Sequence, residues 1–216
     1  MHKTIKWLMP VAACLAIAVV AAISIAQVNP PVAIGSAKTG EGDTLTISFA
    51  KGNLPAKDSE IANGAAMESR DLTADENKTL FGSLADTHTI TAYGHFYHYN
   101  SALAFVEGRA TNDDGLQTRI ILYANDLNVL DTVVEGNKTS NDIFGTAVHA
   151  GYFVTDKNSK GIRNIIYYAT FHLGEAACYL ELGGEKSQSD ALKTEITAVI
   201  GKLIQSGAGD LAQISK

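Results

Sequence analysis

The sequence predicts an α+β fold: an antiparallel, meander-type sheet with a C-terminal amphipathic helix packed on one face, preceded by a single N-terminal transmembrane helix. Three observations predict it. An uncharged apolar run extends from Trp7 to Ala26; six strand-like runs lie between residues 90 and 182, joined by hairpin chemistry; and an apolar stripe at helical spacing runs from Leu192 to Ile204.

The first run sets the expected location. About 20 apolar residues of helix span the hydrocarbon core of a bilayer, and Trp7–Ala26 is just long enough. Lys3 and Lys6 precede it and the next cation is Lys38, which places the N-terminus in the cytoplasm and the rest of the chain outside. Two readings stand, a retained anchor or a signal peptide cleaved after Ser24-Ile25-Ala26. Val11-Ala12-Ala13-Cys14 resembles a lipoprotein box, but the apolar run continues past Cys14 where a polar tether belongs. The chain divides into a cytoplasmic stub (residues 1–6), the anchor or signal (7–26), a flexible tether (27–44) rich in Pro and Gly, and an extracytoplasmic α+β domain (45–216).

Within that domain Leu45, Ile47 and Phe49 alternate with small or polar residues, the period of a first strand. Thr73 and Glu76 form a capping box for a short helix over Ala74–Phe81, stopped by Gly82. Strands follow over Ile90–Tyr99, Ala102–Arg109, Leu116–Tyr123, Ala147–Thr155, Arg163–Leu173 and Ala176–Leu182, with Asn112-Asp113-Asp114-Gly115 and Gly174-Glu175 as turns. Ile165, Tyr167, Ala169, Phe171 and Leu173 share the face best suited to the core. The closing helix, capped by Ser187 or Ser189 and ended by Gly207, presents Leu192, Ile196, Val199, Ile200 and Leu203 to the sheet. A weak echo pairs Leu80-Phe81-Gly82 with Ile143-Phe144-Gly145, Gly94-His95-Phe96 with Gly151-Tyr152-Phe153, and Asn100-Ser101 with Asn158-Ser159. Duplication and chance recurrence of strand and turn chemistry explain it about equally well.

Composition narrows the function. The net charge is −6, and residues 27–216 hold all 23 acidic residues and all but two of the 17 basic ones, so nucleic acid is a poor partner. Of the two cysteines, Cys14 lies in the apolar run and Cys178 in an apolar strand, which leaves no disulfide for the outer domain and predicts a buried thiol. His95 and His98 sit three apart on a strand and diverge, so no metal site is expected. No nucleophile elbow, zinc pair or phosphate loop is present, and no cofactor and no catalytic residue is assigned.

The most distinctive surface signal is aromatic. Tyr93, His95, Tyr97 and Tyr99 share one strand face, and tyrosine suits binding surfaces, although the same residues also serve as a sheet face packed on a helix.

The Pro10-Val11-Ala12-Ala13-Cys14-Leu15 run, the Leu80-Phe81-Gly82 turn, Gly151-Tyr152-Phe153-Val154-Thr155 with Asn158-Ser159-Lys160-Gly161, and the Leu203-Ile204-Gln205-Ser206-Gly207 helix end resemble membrane-bound anti-sigma-factor-like proteins of low-GC Gram-positive bacteria. That resemblance implies an outer domain that senses or is regulated. With six residues before Trp7, the sigma-binding segment of that family is not expected here. Three functions remain: a membrane-tethered, non-enzymatic interaction or sensory domain, held by the lipid bilayer through residues 7–26, with an unidentified protein or small-molecule partner; a secreted or surface structural protein released after Ala26; or an enzyme without a recognisable motif. The first is preferred.

Overall fold

Alternation of buried and exposed side chains organises ten strands into one sheet, β1 (Val32–Lys38), β2 (Thr44–Lys51), β3 (Met67–Asp71), β4 (Thr89–Tyr97), β5 (Leu103–Thr111), β6 (Gln117–Tyr123), β7 (Thr139–Ile143), β8 (Thr146–Val154), β9 (Asn164–Leu173) and β10 (Ala176–Glu185). Two α-helices accompany them, α1 (Ala74–Phe81) and α2 (Ser189–Gln205). The structure is a computed structural model, and it describes residues 32–52, 67–124 and 139–216.

The strand order is β1-β2-β8-β9-β10-β6-β5-β4-β3, with β7 pairing β8 beside β2. The expected fold class needs correction on three counts. The protein is mostly sheet, and the sheet is mixed rather than a pure antiparallel meander, because β2 runs parallel to β8 through Ala50↔Gly151 and Lys51↔Tyr152. Among the described residues no helix is long and apolar enough to cross a membrane, and residues 7–26, where the transmembrane helix, Cys14 and the cleavage site were expected, lie outside them. Residues 32–38, expected within a tether, form the edge strand β1.

Burial explains why β1 reads as a linker. Its inward residues are Ala33, Gly35 and Ala37, and α2 lies so close that a Cβ on Gly35 would come within 2.4 Å of Thr197 Oγ1 and 2.9 Å of the Lys193 carbonyl. Only a residue without a side chain lets the helix settle there. α2 buries Leu192, Ile196, Val199, Ile200 and Leu203 against Ile47, Phe49, Tyr167 and Ala169, so the face expected to form the core does so. Each such aliphatic group contributes about 1.5–3 kcal/mol on burial. Neither Ser187 nor Ser189 caps α2: a turn over Lys186–Gln188 leads into the helix, with Gln188 Oε1 accepting from the Glu185 backbone N–H at 3.1 Å, while Ser189 Oγ meets Tyr167 OH at 2.7 Å.

The sheet is also buried on its second face, which the expected one-sided arrangement did not include. Ile121, Tyr123, Phe153, Tyr168, Ala177 and Tyr179 form a separate apolar cluster there. Strand β9 therefore reads as a nearly unbroken apolar run, as strands buried on both faces do. Tyr168 lies over Gly151 of β8, where an added Cβ would fall 2.4 Å from its hydroxyl. Cys178 is fully buried beneath α2 and burial pushes its thiol pKa far up, so it is an inert core residue.

Strand β7 was not expected as a strand. Its sequence Thr-Ser-Asn-Asp-Ile is polar, and the polarity has a use: Asn141 Oδ1 accepts from the Ser48 backbone N–H at 2.9 Å, Asn141 Nδ2 donates to the Ser48 carbonyl at 3.1 Å, and Thr139 Oγ1 donates to the same carbonyl. Side chains thus take the place of a backbone ladder between β7 and β2.

The internal echo resolves into topology without residue equivalence. Meanders β4-β5-β6 and β8-β9-β10 meet antiparallel through β6 and β10, and Asn100 and Asn158 make the same Oδ1 turn bond to the backbone N–H two residues on, at 2.9 Å in both hairpin loops. However, Gly94 lies on the α2 side of the sheet near Leu72 and Phe96, whereas Gly151 lies on the opposite face. Phe81-Gly82 ends α1, while Phe144-Gly145 is a hairpin turn with positive φ at both residues.

Helix α1 has the expected capping box, with Thr73 Oγ1 accepting from the Glu76 N–H and Glu76 Oε2 accepting from the Thr73 N–H. Glu76 also receives a bidentate pair from Arg70 of β3, at 2.6 and 2.9 Å, and Arg70 in turn holds the Ser215 carbonyl near the C-terminus. The Arg70 guanidinium first, and the Thr73 backbone second, lower the Glu76 pKa from 4.5 to about 2. A carboxyl more acidic in the folded state stabilises it fully above the unfolded value, and that contribution fades as pH falls from 4.5 towards 2. The urea midpoint is expected to drop across that window, and to drop less in Glu76→Gln, which keeps the cap geometry but has no charge to lose.

Candidate functional site

Odd-numbered residues of β4, of β5 from Phe105 on and of β6 face away from α2, and at the β3 side of the sheet they frame a cleft of about 450 Å³ lined by Ser69, Thr91, Tyr93, His95, Glu107, Arg109 and Gln117. A second hollow of about 250 Å³ adjoins it, sharing Arg109 and Gln117 and adding Arg119, Ile166, Glu181 and Gly183. Strand pairing brings these groups together: Ser69 lies opposite His95, Tyr93 opposite Glu107, Thr91 opposite Arg109, and Arg109 opposite Arg119.

Of the four residues singled out from the sequence, two belong to this cleft. Tyr93 forms part of its wall and is 41% exposed. His95 is half-buried, its ring stacked on Phe105 at 4.2 Å with Nδ1 bonded to Ser69 Oγ at 2.8 Å. The other two are not in it. A bulge follows His95, β4 ends at Tyr97, and Tyr99 lies on the turn beyond, 75% exposed, its ring 5.4 Å from that of Tyr97.

The Ser69–His95 contact has the spacing of a nucleophile and its base. The arrangement stops there, because His95 Nε2 is buried with no hydrogen-bond partner and no carboxylate among the described residues orients the ring. Burial, the larger effect, lowers the His95 pKa against the opposing pull of Glu107, and so favours the neutral imidazole. A buried polar atom without a partner is uncommon in a native fold and calls for an explanation.

Charge is unevenly satisfied across the cleft. Arg119 donates to Glu107 at 2.9 Å and to Glu181 at 3.5 Å, and Tyr179 OH donates to Glu181 at 2.6 Å. Arg109, directly across the ladder from Arg119, has no hydrogen-bond or ion-pair partner among the described residues and is exposed. Like charges placed opposite each other on a sheet are destabilising, and here both carboxylates go to one of the two arginines.

Sequence reading missed Ser69, Thr91, Glu107, Arg109 and Gln117. A signal was present: Glu107 and Arg109 share the parity of Tyr93 and His95, the face that the even-numbered core residues leave for other uses. What alternation cannot supply is which strands become neighbours.

A larger hollow of about 660 Å³ lies near the end of α2, lined by His172, Leu173, Glu175 and the Gly207–Ala212 backbone among others. His172 and Glu175 are exposed around the β9–β10 turn, with no hydrogen bond joining them. A third polar network, in which His88 Nε2 meets Glu195 at 2.7 Å and Asn112 donates to the same carboxylate at 2.8 Å, holds α2 to the β5–β6 turn and opens into none of these hollows.

No family model, curated protein or solved structure matches the chain.

Proposed function

We propose that the domain is a non-enzymatic interaction or sensory module whose contact surface is the cleft walled by Tyr93 and floored by His95. The observation that supports this reading is the convergence around one hollow of an exposed tyrosine with an imidazole nitrogen and an arginine that have no partner among the described residues. Concave sites with a few convergent polar groups are where ligands bind. The resemblance to sensory outer domains of anti-sigma-factor-like proteins agrees with it, and a Ser–His pair without an orienting acid argues against the hydrolytic alternative.

A double variant tests the proposal. Tyr93→Ser with His95→Ala in the full chain removes the wall and the orphaned nitrogen, and only half-buried or exposed groups change. The expected outcome is a cooperative melt lowered by only about 2–4 °C, the shift that the roughly 1 kcal/mol of a typical substitution gives a domain of this size, together with loss of the species cross-linked from a photoreactive residue at Thr91. A large fall in melting temperature with the cross-link retained would make this face structural.

A further inference from the structure

Resting on that reading of the cleft, we propose a ligand class: a monoanionic carboxylate with a short apolar tail, its carboxylate seated on Arg109 and its tail lying along Tyr93 towards His95.

The head group follows from charge. Arg109 offers a planar fork of donors that matches a carboxylate in bidentate fashion, and no described residue uses it. Both carboxylates beside it, Glu107 and Glu181, are already held by Arg119, so among the described lining residues Arg109 is the cation left without an anion, and one negative charge satisfies it. A dianion such as phosphate would face Glu107 and Glu181 with its second charge unmatched, in a chain whose net charge is already −6. A neutral ligand would leave the Arg109–Arg119 repulsion unrelieved.

The tail follows from the lining. Arg109 and Phe105, the register partner of His95, are four residues apart on β5, which is about 13 Å of strand. Between those ends lie Glu107, whose carboxylate is taken up by Arg119, and across from it the ring of Tyr93 and the imidazole, whose other face is occupied by Phe105. Such a surface suits a few methylene groups or one aromatic ring, and a bare anion would leave it unfilled.

The test titrates the full chain, with the Arg109 Nε–H, the Tyr93 ring and the Thr91 methyl followed by NMR. The probes are hexanoate, its neutral isostere hexanamide, and inorganic phosphate. Hexanoate is expected to shift all three groups saturably, at least tenfold more tightly than hexanamide or phosphate. Arg109→Gln is expected to bring hexanoate down to the level of the amide without lowering the melting temperature, because Arg109 has no partner among the described residues and its charge opposes that of Arg119. Equal binding of acid and amide would overturn the assignment to Arg109 while leaving the cleft as a contact surface. Phosphate binding as tight as hexanoate would overturn the tail. If no probe moves these signals, the ligand class is wrong, and the contact-surface reading is then judged by the Tyr93 and His95 double variant alone.

Discussion

Ile200→Asp is expected to leave the domain unfolded at room temperature. Ile200 is fully buried at the centre of the α2 stripe, inside the main apolar cluster. An aspartate there would have to bury an unpaired carboxylate or take up a proton, and it would lose the packing of the isoleucine as well. The combined cost of several kcal/mol is comparable to the roughly 5–15 kcal/mol that holds a typical domain together. Circular dichroism of the full chain should show loss of the cooperative melt. Ile200→Val, which removes one methylene, should cost only about 0.5–1.5 kcal/mol. If the aspartate variant melts like wild type, α2 is not part of the core.

Tyr168→Ala comes next in size, at about 3–5 kcal/mol by analogy with other buried aromatic truncations. Tyr168 is fully buried on the opposite face of the sheet and fills the space above Gly151. The substitution probes the less expected half of the fold, the second apolar cluster. Tyr168→Phe keeps the ring and should retain most of the stability. A loss below about 1 kcal/mol in Tyr168→Ala, read from urea midpoints at constant m-value, would mean that this second face contributes little.

How much of this was legible in the sequence depended on whether the signal was local. The capping box at Thr73 and Glu76, the stripe on α2 and the turns at Asn112–Gly115 and Gly174-Glu175 each lie within a few residues, and each is found where the residues place it. Strands β1 and β7 were hidden by their partners. The small inward residues of β1 make room for α2, and the polar residues of β7 bond to the backbone of β2, so neither shows the apolar alternation of an ordinary strand. The parallel contact between β2 and β8 joins positions about a hundred residues apart and leaves no local trace. The expectation of a transmembrane helix rested on the uncharged length of Trp7–Ala26 and on Lys3 and Lys6 before it, and no helix among the described residues is long and apolar enough to cross a membrane.

The site was half legible for the same reason. Tyr93 and His95 follow from alternation along β4, but the bulge after His95 and the end of the strand at Tyr97 take Tyr99 away from them. Arg109 and Glu107 read as ordinary charged strand residues until pairing sets Arg109 against Arg119 and Glu107 beside Tyr93. Their significance lies in the mismatch between neighbours, with one arginine holding two carboxylates and the other none among the described residues.

The most direct measurement is a map of where small molecules bind the full chain, made by recording amide and side-chain NMR shifts against a mixed set of neutral and charged fragments. Saturable shifts are expected to concentrate on Ser69, Thr91, Tyr93, His95 and Arg109. Shifts gathered instead around His172, Glu175 and the Gly207–Ala212 segment, with the Tyr93 face silent, would contradict that expectation.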